Sequence, residues 1–426
     1  MRHKLPLVAV LLGVFPVALG ATFAWSGRND YASAANPTPT VIATVPVGAS
    51  PRLGVGVNPA TNRIYVANVD SNDVSVIDGT TNTEIDTDGN PGNGITRISV
   101  GSGPAGVGVN TITNRIYVAN QWSGDVSVID GATNTVVATV PVAYGLVGVG
   151  VNTITNRIYV GNWAGGWVSV IDGATNTEID TDGNPANGIT HIPVGFAPHL
   201  VAVNPTTNRI YVANWGSDNV SVIDGATNTE IDTDGNPANG ITRIPVASGP
   251  VGVAVNSTTN RIHVTNWGSD NVSVIDGATN TEIDTDGNPA NGITRIPVGS
   301  YPQGIAANPA TGRVYVANSS DNSVSVIDAS SNTVVATVPV GSYAYGVAAN
   351  PTTNRIYVAN RDDNTVSVIY DPVPVGGIAE YSQFEPPAAD TGGDIGSFRT
   401  FAIPAVAAGA IVLLAGAWYA RRRWLA

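Results

Sequence analysis

Cysteine is absent from this chain of 426 residues, which excludes disulfides and thiolate metal sites. Lysine occurs once, at Lys4, so every other permanent cation is an arginine. Charge is scarce altogether, at 12% of residues, and acids outnumber bases 32 to 19. The resulting net charge of −13 removes the basic surface that a nucleic-acid partner needs. What fills the chain instead is Gly, Asn, Thr, Val and Ile, the chemistry of turns and strands.

These residues are arranged in a repeat. Thr111–Asp130 (TITNRIYVANQWSGDVSVID) holds two apolar strands joined by a short polar turn. The tetrads Tyr65–Asn68, Tyr117–Asn120, Tyr159–Asn162, Tyr211–Asn214, His263–Asn266, Tyr315–Asn318 and Tyr357–Asn360 mark seven copies, with steps of 52, 42, 52, 52, 52 and 42. A period of roughly 40–50 residues with several short strands is the signature of a propeller blade. Seven copies fit one closed ring, so the expected fold is all-β, a seven-bladed propeller over residues 40–371.

Blade 1 predicts strand A at Gly54–Asn58, B at Arg63–Asn68, C at Asp73–Asp78 and D at Ile95–Val100. Strands A and B are apolar on both faces, as a sheet sandwiched between neighbours requires. Blade 7 lacks a strand D. Thr40–Val47 (TVIATVPV) matches the D strands Thr135–Val142 and Thr333–Val340, so it is expected to pair with the last strand C and close the ring. Arginine opens strand B in all seven blades, and aspartate ends strand C in six, Asp78 to Asp328. A hairpin sets them opposite, which predicts an Arg–Asp pair in each of those blades.

The termini differ in kind from the ring. Residues 1–24 carry a basic start, an apolar run and small residues, the layout of a secretory signal peptide. Residues 25–39 form a linker. Residues 372–400 are rich in Pro, Gly and acid and read as a flexible tether. Residues 401–420 are uncharged and long enough to span a membrane as a helix. Arg421, Arg422 and Arg423 follow, which leaves residues 421–426 as a cytoplasmic tail and the ring outside.

The repeat N-P-x-T-N-R-I-Y-V-A-N, then V-S-V-I-D, then T-N-T-V-V-A-T-V-P-V-G, resembles the YVTN-type β-propeller family. That resemblance implies the fold. For function it implies surface-layer and cell-surface proteins, periplasmic propellers and lactonase-like relatives, among which a fold cannot choose.

Antiparallel A-B-C-D order puts the D–A and B–C connections on one face, which is aromatic. Trp122, Trp163, Trp167, Trp215 and Trp267, with Tyr301 and Tyr343, are the candidate ligand-binding residues, and a protein or glycan is the expected partner. The other face is expected to be acidic. Four C–D connections carry a ten-residue insertion that separates the 52-residue from the 42-residue steps. Its carboxylates and amides offer hard oxygen ligands: Asp86, Asp88 and Asn90; Asp180, Asp182 and Asn184; Asp232, Asp234 and Asn236; Asp284, Asp286 and Asn288. Calcium is therefore a candidate ion, although Ile95 stands where an EF-hand has its bidentate Glu.

The D–A loops offer only Arg52 and His199 as groups able to work near neutral pH. With no catalytic residue nominated and no cofactor implied, the sequence favours a membrane-anchored, monomeric, non-catalytic binding module. The alternative is a lactonase-like or quinoprotein-like enzyme with its active site at the channel mouth.

Overall fold

The computed structural model describes residues 38–373, apart from 91–93, 182, 184–187, 237–239, 286 and 288–291. The chain divides into Met1–Gly377, which holds the ring, and Ile378–Ala426. The signal-peptide, linker, tether, membrane-helix and tail readings fall almost wholly outside the described residues. Among those described, all 32 regular elements are strands, and no helix is long and apolar enough to cross a membrane.

The strands form seven antiparallel sheets, each ordered A-B-C-D. Strand A is innermost. Pro51–Asn58, Pro104–Asn110, Leu146–Asn152, Pro198–Asn204, Pro250–Asn256, Pro302–Asn308 and Ala344–Asn350 neighbour one another around a central channel. Blade 1 begins its strand A three residues earlier than expected, because a bulge between Pro51 and Val55 absorbs the extra length. The inner strands approach closely enough that some positions admit no side chain. A Cβ on Gly148 would collide with the His199 carbonyl, and one on Gly346 with the carbonyls of Arg52 and Leu53.

Strands B and C are buried on both faces, and the seven apolar clusters sit between blades. Tyr65, Val74 and Val76 of blade 1, for example, pack on Ile116, Val118 and Ile129 of blade 2. The ring closes as expected. Thr40–Pro46 pairs antiparallel with Thr365–Tyr370, from Thr40 opposite Tyr370 to Pro46 opposite Thr365, with a bulge between Val41 and Ala43. Val45 and Val47 complete the cluster between blades 7 and 1.

Strand D departs from the expectation. In blade 2 it runs unbroken, Thr135–Pro141, with a bulge between Val136 and Ala138. In blade 1 it is two pieces, Thr83–Glu84 and Ile98–Ser99, which pair with opposite ends of the same strand C. Blades 3, 4 and 5 repeat this. The insertion therefore leaves from the middle of the outermost strand, at the bulge, where the ladder is already interrupted. The acidic loops project from the rim of the ring; they do not form an acidic face. Each loop base is pinned by a buried glutamate. Glu84 takes both Arg97 Nε at 2.7 Å and Nη2 at 2.9 Å, and Glu230–Arg243 and Glu282–Arg295 do the same.

The Arg–Asp pairs are also corrected. The register does set Arg63 opposite Asp78 and Arg115 opposite Asp130. Of the six expected pairs, only Arg115–Asp130, at 2.6 Å, is an ion pair among the described residues. The aspartates cap their own turns instead, as Asp78 does by accepting from the N–H groups of Thr80 and Thr81. Arginine is long enough to cross to the next blade, so Arg63 donates to the Gly131 carbonyl at 3.0 Å and Arg157 to that of Gly225 at 3.2 Å. Arg355 of blade 7 reaches the Gly79 carbonyl of blade 1. Asp371 serves Arg313 of blade 6 rather than Arg355, in a buried pair at 2.5 Å that Thr311 also joins.

Candidate active site at the channel mouth

The mouth is built by seven D–A loops. The residue directly before strand A is left-handed in every loop, with φ between 52° and 84° at Ser50, Gly103, Gly145, Ala197, Gly249, Tyr301 and Tyr343. Glycine takes that conformation freely; a bulky side chain does so at a cost of order 1 kcal/mol or more. Tyr301 and Tyr343 nonetheless hold it. Their N–H groups are tied at 2.8 Å to Asp270 Oδ1 and Asn322 Oδ1, acceptors on the preceding blade's B–C turn.

Two residues further on, strand A presents one side chain per blade to the mouth. Around the ring these are Arg52, Ala105, Val147, His199, Val251, Gln303 and Tyr345. Four of them, His199, Val251, Gln303 and Tyr345, border an open cavity of about 270 Å³, whose wall Trp163, Trp215, Trp267 and Tyr343 complete. This is a concave, aromatic-lined site on which a few polar side chains converge, as small-molecule pockets have.

Two guanidinium–tyrosine contacts extend one wall. Arg52 donates to the Tyr345 hydroxyl at 3.2 Å and lies 5.2 Å from that ring's centre. Arg361, on the blade 7 B–C turn, lies 5.3 Å from the centre of Tyr343, and the two tyrosine rings stack at 5.9 Å. Among the described residues neither arginine has a carboxylate partner, and the Nε of each is buried without a hydrogen-bond acceptor. Their charge is open to an anion or a polarised carbonyl.

His199 sits in the field of Arg52. Burial first, and then that positive charge, lower its pKa from 6.5 to about 4, so the imidazole is neutral at physiological pH. A hydrogen bond with the Val251 backbone works in the opposite direction. Its Nδ1 has no partner in the resting geometry. Gln303, 5% exposed, lines the same cavity.

The seven aromatic candidates separate. Trp163, Trp215, Trp267 and Tyr343 line the cavity. Tyr301 stands behind Trp267, stacked at 4.9 Å. Trp122 lies over Gly103, away from the cavity and half exposed. Trp167 opens strand C of blade 3 and stacks on His191 at 5.0 Å, where the other long blades carry arginine. Arg361 lies on a B–C turn, outside the D–A loops whose ionisable groups the sequence singles out, and Gln303 is a glutamine, which does not titrate. The sequence signal for Gln303 was its position, one residue after the Pro that opens strand A, in register with Arg52 and His199.

The rim acids close their own hairpins. Asp86 Oδ1 and Asp232 Oδ1 accept from the N–H groups of Thr96 and Thr242 at 3.0 Å. Asp88 and Asp234 accept from those threonine hydroxyls and from the N–H groups of Asn90 and Asn236. Asp180 and Asp284 each accept from a threonine N–H at 3.0 Å and from its hydroxyl at 2.6 Å. Asp182, Asn184, Asp286 and Asn288 lie outside the described residues. Among those described, no three His, Cys, Asp or Glu gather to hold a metal.

Comparison with known proteins bears on this site. The profile of the family described as "Lactonase, 7-bladed beta-propeller" matches residues 58–373. A curated relative, the PE-PGRS family protein PE_PGRS18 of Mycobacterium tuberculosis, is 44% identical over 164 residues, 30% of this chain and 33% of that protein. This chain thus spans a third of that relative's length. A solved chain of Kuenenia stuttgartiensis hydrazine synthase is similar over 76% of this chain and 97% of its own, with a TM-score of 0.60. At 19% identity that likeness concerns the fold alone. The family match overturns the expectation of a non-catalytic scaffold and favours the alternative, a lactonase-like enzyme. The physical reason for the miss is that the site is not confined to one set of loops. It is assembled from strand A and B–C turn residues of several blades.

Proposed function

This chain belongs to the lactonase seven-bladed β-propeller family, and on that premise we propose that it hydrolyses a lactone at the channel mouth. The observation that carries the reading is the cavity that sets His199 and Gln303 among aromatic walls beside Arg52. Ring opening needs a proton acceptor for water and a positive group for the developing oxyanion. A side-chain rotation turns the unpaired Nδ1 of neutral His199 toward a water in the cavity. Water oxygen attacks the carbonyl carbon, its proton passes to His199, and Arg52 stabilises the oxyanion. The acyl–oxygen bond then breaks, the ring oxygen takes the proton from His199, and a hydroxy acid leaves.

The test is base-titration of acid release from a panel of lactones by the purified ring. We expect catalysed opening, lowered about 100-fold in Arg52→Met with an unchanged melting temperature. Absence of catalysis across the panel would sink the proposal.

The finer YVTN-type assignment rests on the repeat motif alone. We propose from the terminal sequences that the ring lies outside the cytoplasmic membrane, tested by protease treatment of intact cells. Calcium binding by the rim loops is a separate proposal, for calorimetry.

A further inference from the structure

Resting on the hydrolase reading, we infer that the substrate is an apolar lactone, one whose ring carries an aryl or acyl substituent, and not a polyhydroxylated or phosphorylated sugar lactone. Donors and acceptors are unequal in number at this wall. The cavity wall is rich in donors. Trp163, Trp215 and Trp267 each carry an indole N–H, which can only donate, and Arg52, held against Tyr345 of the same wall, likewise only donates. The acceptors are few. The Tyr345 hydroxyl already accepts from Arg52, and no Asp or Glu lines the cavity. Among the side chains, that leaves Gln303 Oε1, the Tyr343 hydroxyl, the second lone pair of Tyr345 and the Nδ1 that His199 needs for water.

A sugar lactone brings several hydroxyl donors, and burying them without acceptors is costly. A phosphorylated one adds a dianion to a site with no lysine, where Arg361 alone is left for it once Arg52 serves the oxyanion. The strand B arginines are occupied elsewhere, as Arg63 and Arg157 are with the next blade's carbonyls. A lactone with an apolar substituent presents acceptors only, its carbonyl and ring oxygens. It matches Arg52 and the Gln303 amide N–H, while its flat apolar part stacks on Trp215 and Trp267.

The experiment compares kcat/KM for 3,4-dihydrocoumarin, δ-gluconolactone and 6-phosphoglucono-δ-lactone. Dihydrocoumarin should lead by at least about tenfold. The double variant Trp215→Ala/Trp267→Ala should lose about tenfold or more on dihydrocoumarin alone, with the Phe/Phe variant restoring most of it. Preference for either sugar lactone would overturn this inference and leave the hydrolase reading standing. If no lactone is opened, the hydrolase reading fails. Binding then decides the preference separately, through quenching of tryptophan fluorescence by the ring-stable lactams. Tighter binding of 3,4-dihydro-2-quinolinone than of gluconolactam supports the apolar site, and the reverse order refutes it.

Discussion

The two faces of the ring are built from the same repeat and have opposite character. On the face of the A–B turns, one link is copied around the circle. The buried Asn that ends strand A donates to the turn Asn of the next blade: Asn58 to Asn114, Asn110 to Asn156, Asn152 to Asn208, Asn204 to Asn260, and across the closure Asn350 to Asn62, at 2.7–2.9 Å. Asn308 reaches Asn354 at 3.4 Å, and blade 5 lacks the link because blade 6 carries Gly312 at the accepting position. At the mouth, the seven equivalent side chains from Arg52 to Tyr345 are seven independent choices. Uniformity marks what holds blade to blade, and divergence marks where chemistry is placed.

The largest effect that bears on this contrast is loss of closure. Deleting residues 40–47 exposes the Thr365–Tyr370 edge and uncovers the cluster that Val45 and Val47 complete. A thermal melt should lose its cooperative transition or fall by well over 10 °C. A melt equal to that of the intact ring would contradict the closure.

The Arg313–Asp371 pair comes next. Asp371→Ala strands a buried guanidinium and should cost about 3–5 kcal/mol in denaturant unfolding. Because the pair lies on the turn face, kcat/KM should stay within about twofold. A large loss of activity at full stability would blur the division between faces.

His263 gives a similar magnitude with a pH signature. It occupies the buried position that is tyrosine in the other six blades, and neither ring nitrogen has a partner. Burial first, and Arg261 second, hold its pKa at about 4, below the ordinary 6.5. The unfolded chain therefore binds a proton that the folded ring refuses between those values. Its contribution is complete above about pH 6.5 and is lost as pH falls toward 4, on the order of 3 kcal/mol. His263→Tyr should remove that part of the acid sensitivity. Parallel stability–pH curves for wild type and variant would refute this.

The smallest effect is a gain. Tyr343 holds φ at 56°, so Tyr343→Gly should raise stability by about 1 kcal/mol while removing a cavity wall and weakening substrate binding. A destabilised variant would show that the tyrosine's packing outweighs its strain.

Much of the fold was legible in the sequence. Seven tetrads, short β-branched runs and the stray D strand at Thr40–Val47 fix the blade count and the closure, because each follows from local pattern. The insertion was misplaced because TNTEI continues strand D for two paired residues before leaving at the bulge, which residue counting cannot reveal. The Arg–Asp pairs failed because register sets which residues are opposite, while side-chain length lets Arg63 choose a carbonyl on the next blade. At the mouth, the tryptophans were legible as a group. Which of them face the cavity was not, since Trp122 and Trp163 occupy similar B–C turns and only the second lines it.

Arg52 and His199 are proposed to work as a pair at the mouth. The pH dependence of kcat/KM for lactone opening tests it most directly, measured for wild type and Arg52→Gln. The wild-type rate should hold from neutral pH down to about 5 and fall with an apparent pKa of about 4, as His199 protonates. In the variant the rate should drop, and the acid limb should move upward toward 6.5, because the charge that depresses His199 is gone while its burial remains. An acid limb that stays in place, or a variant as fast as wild type, would contradict the pairing.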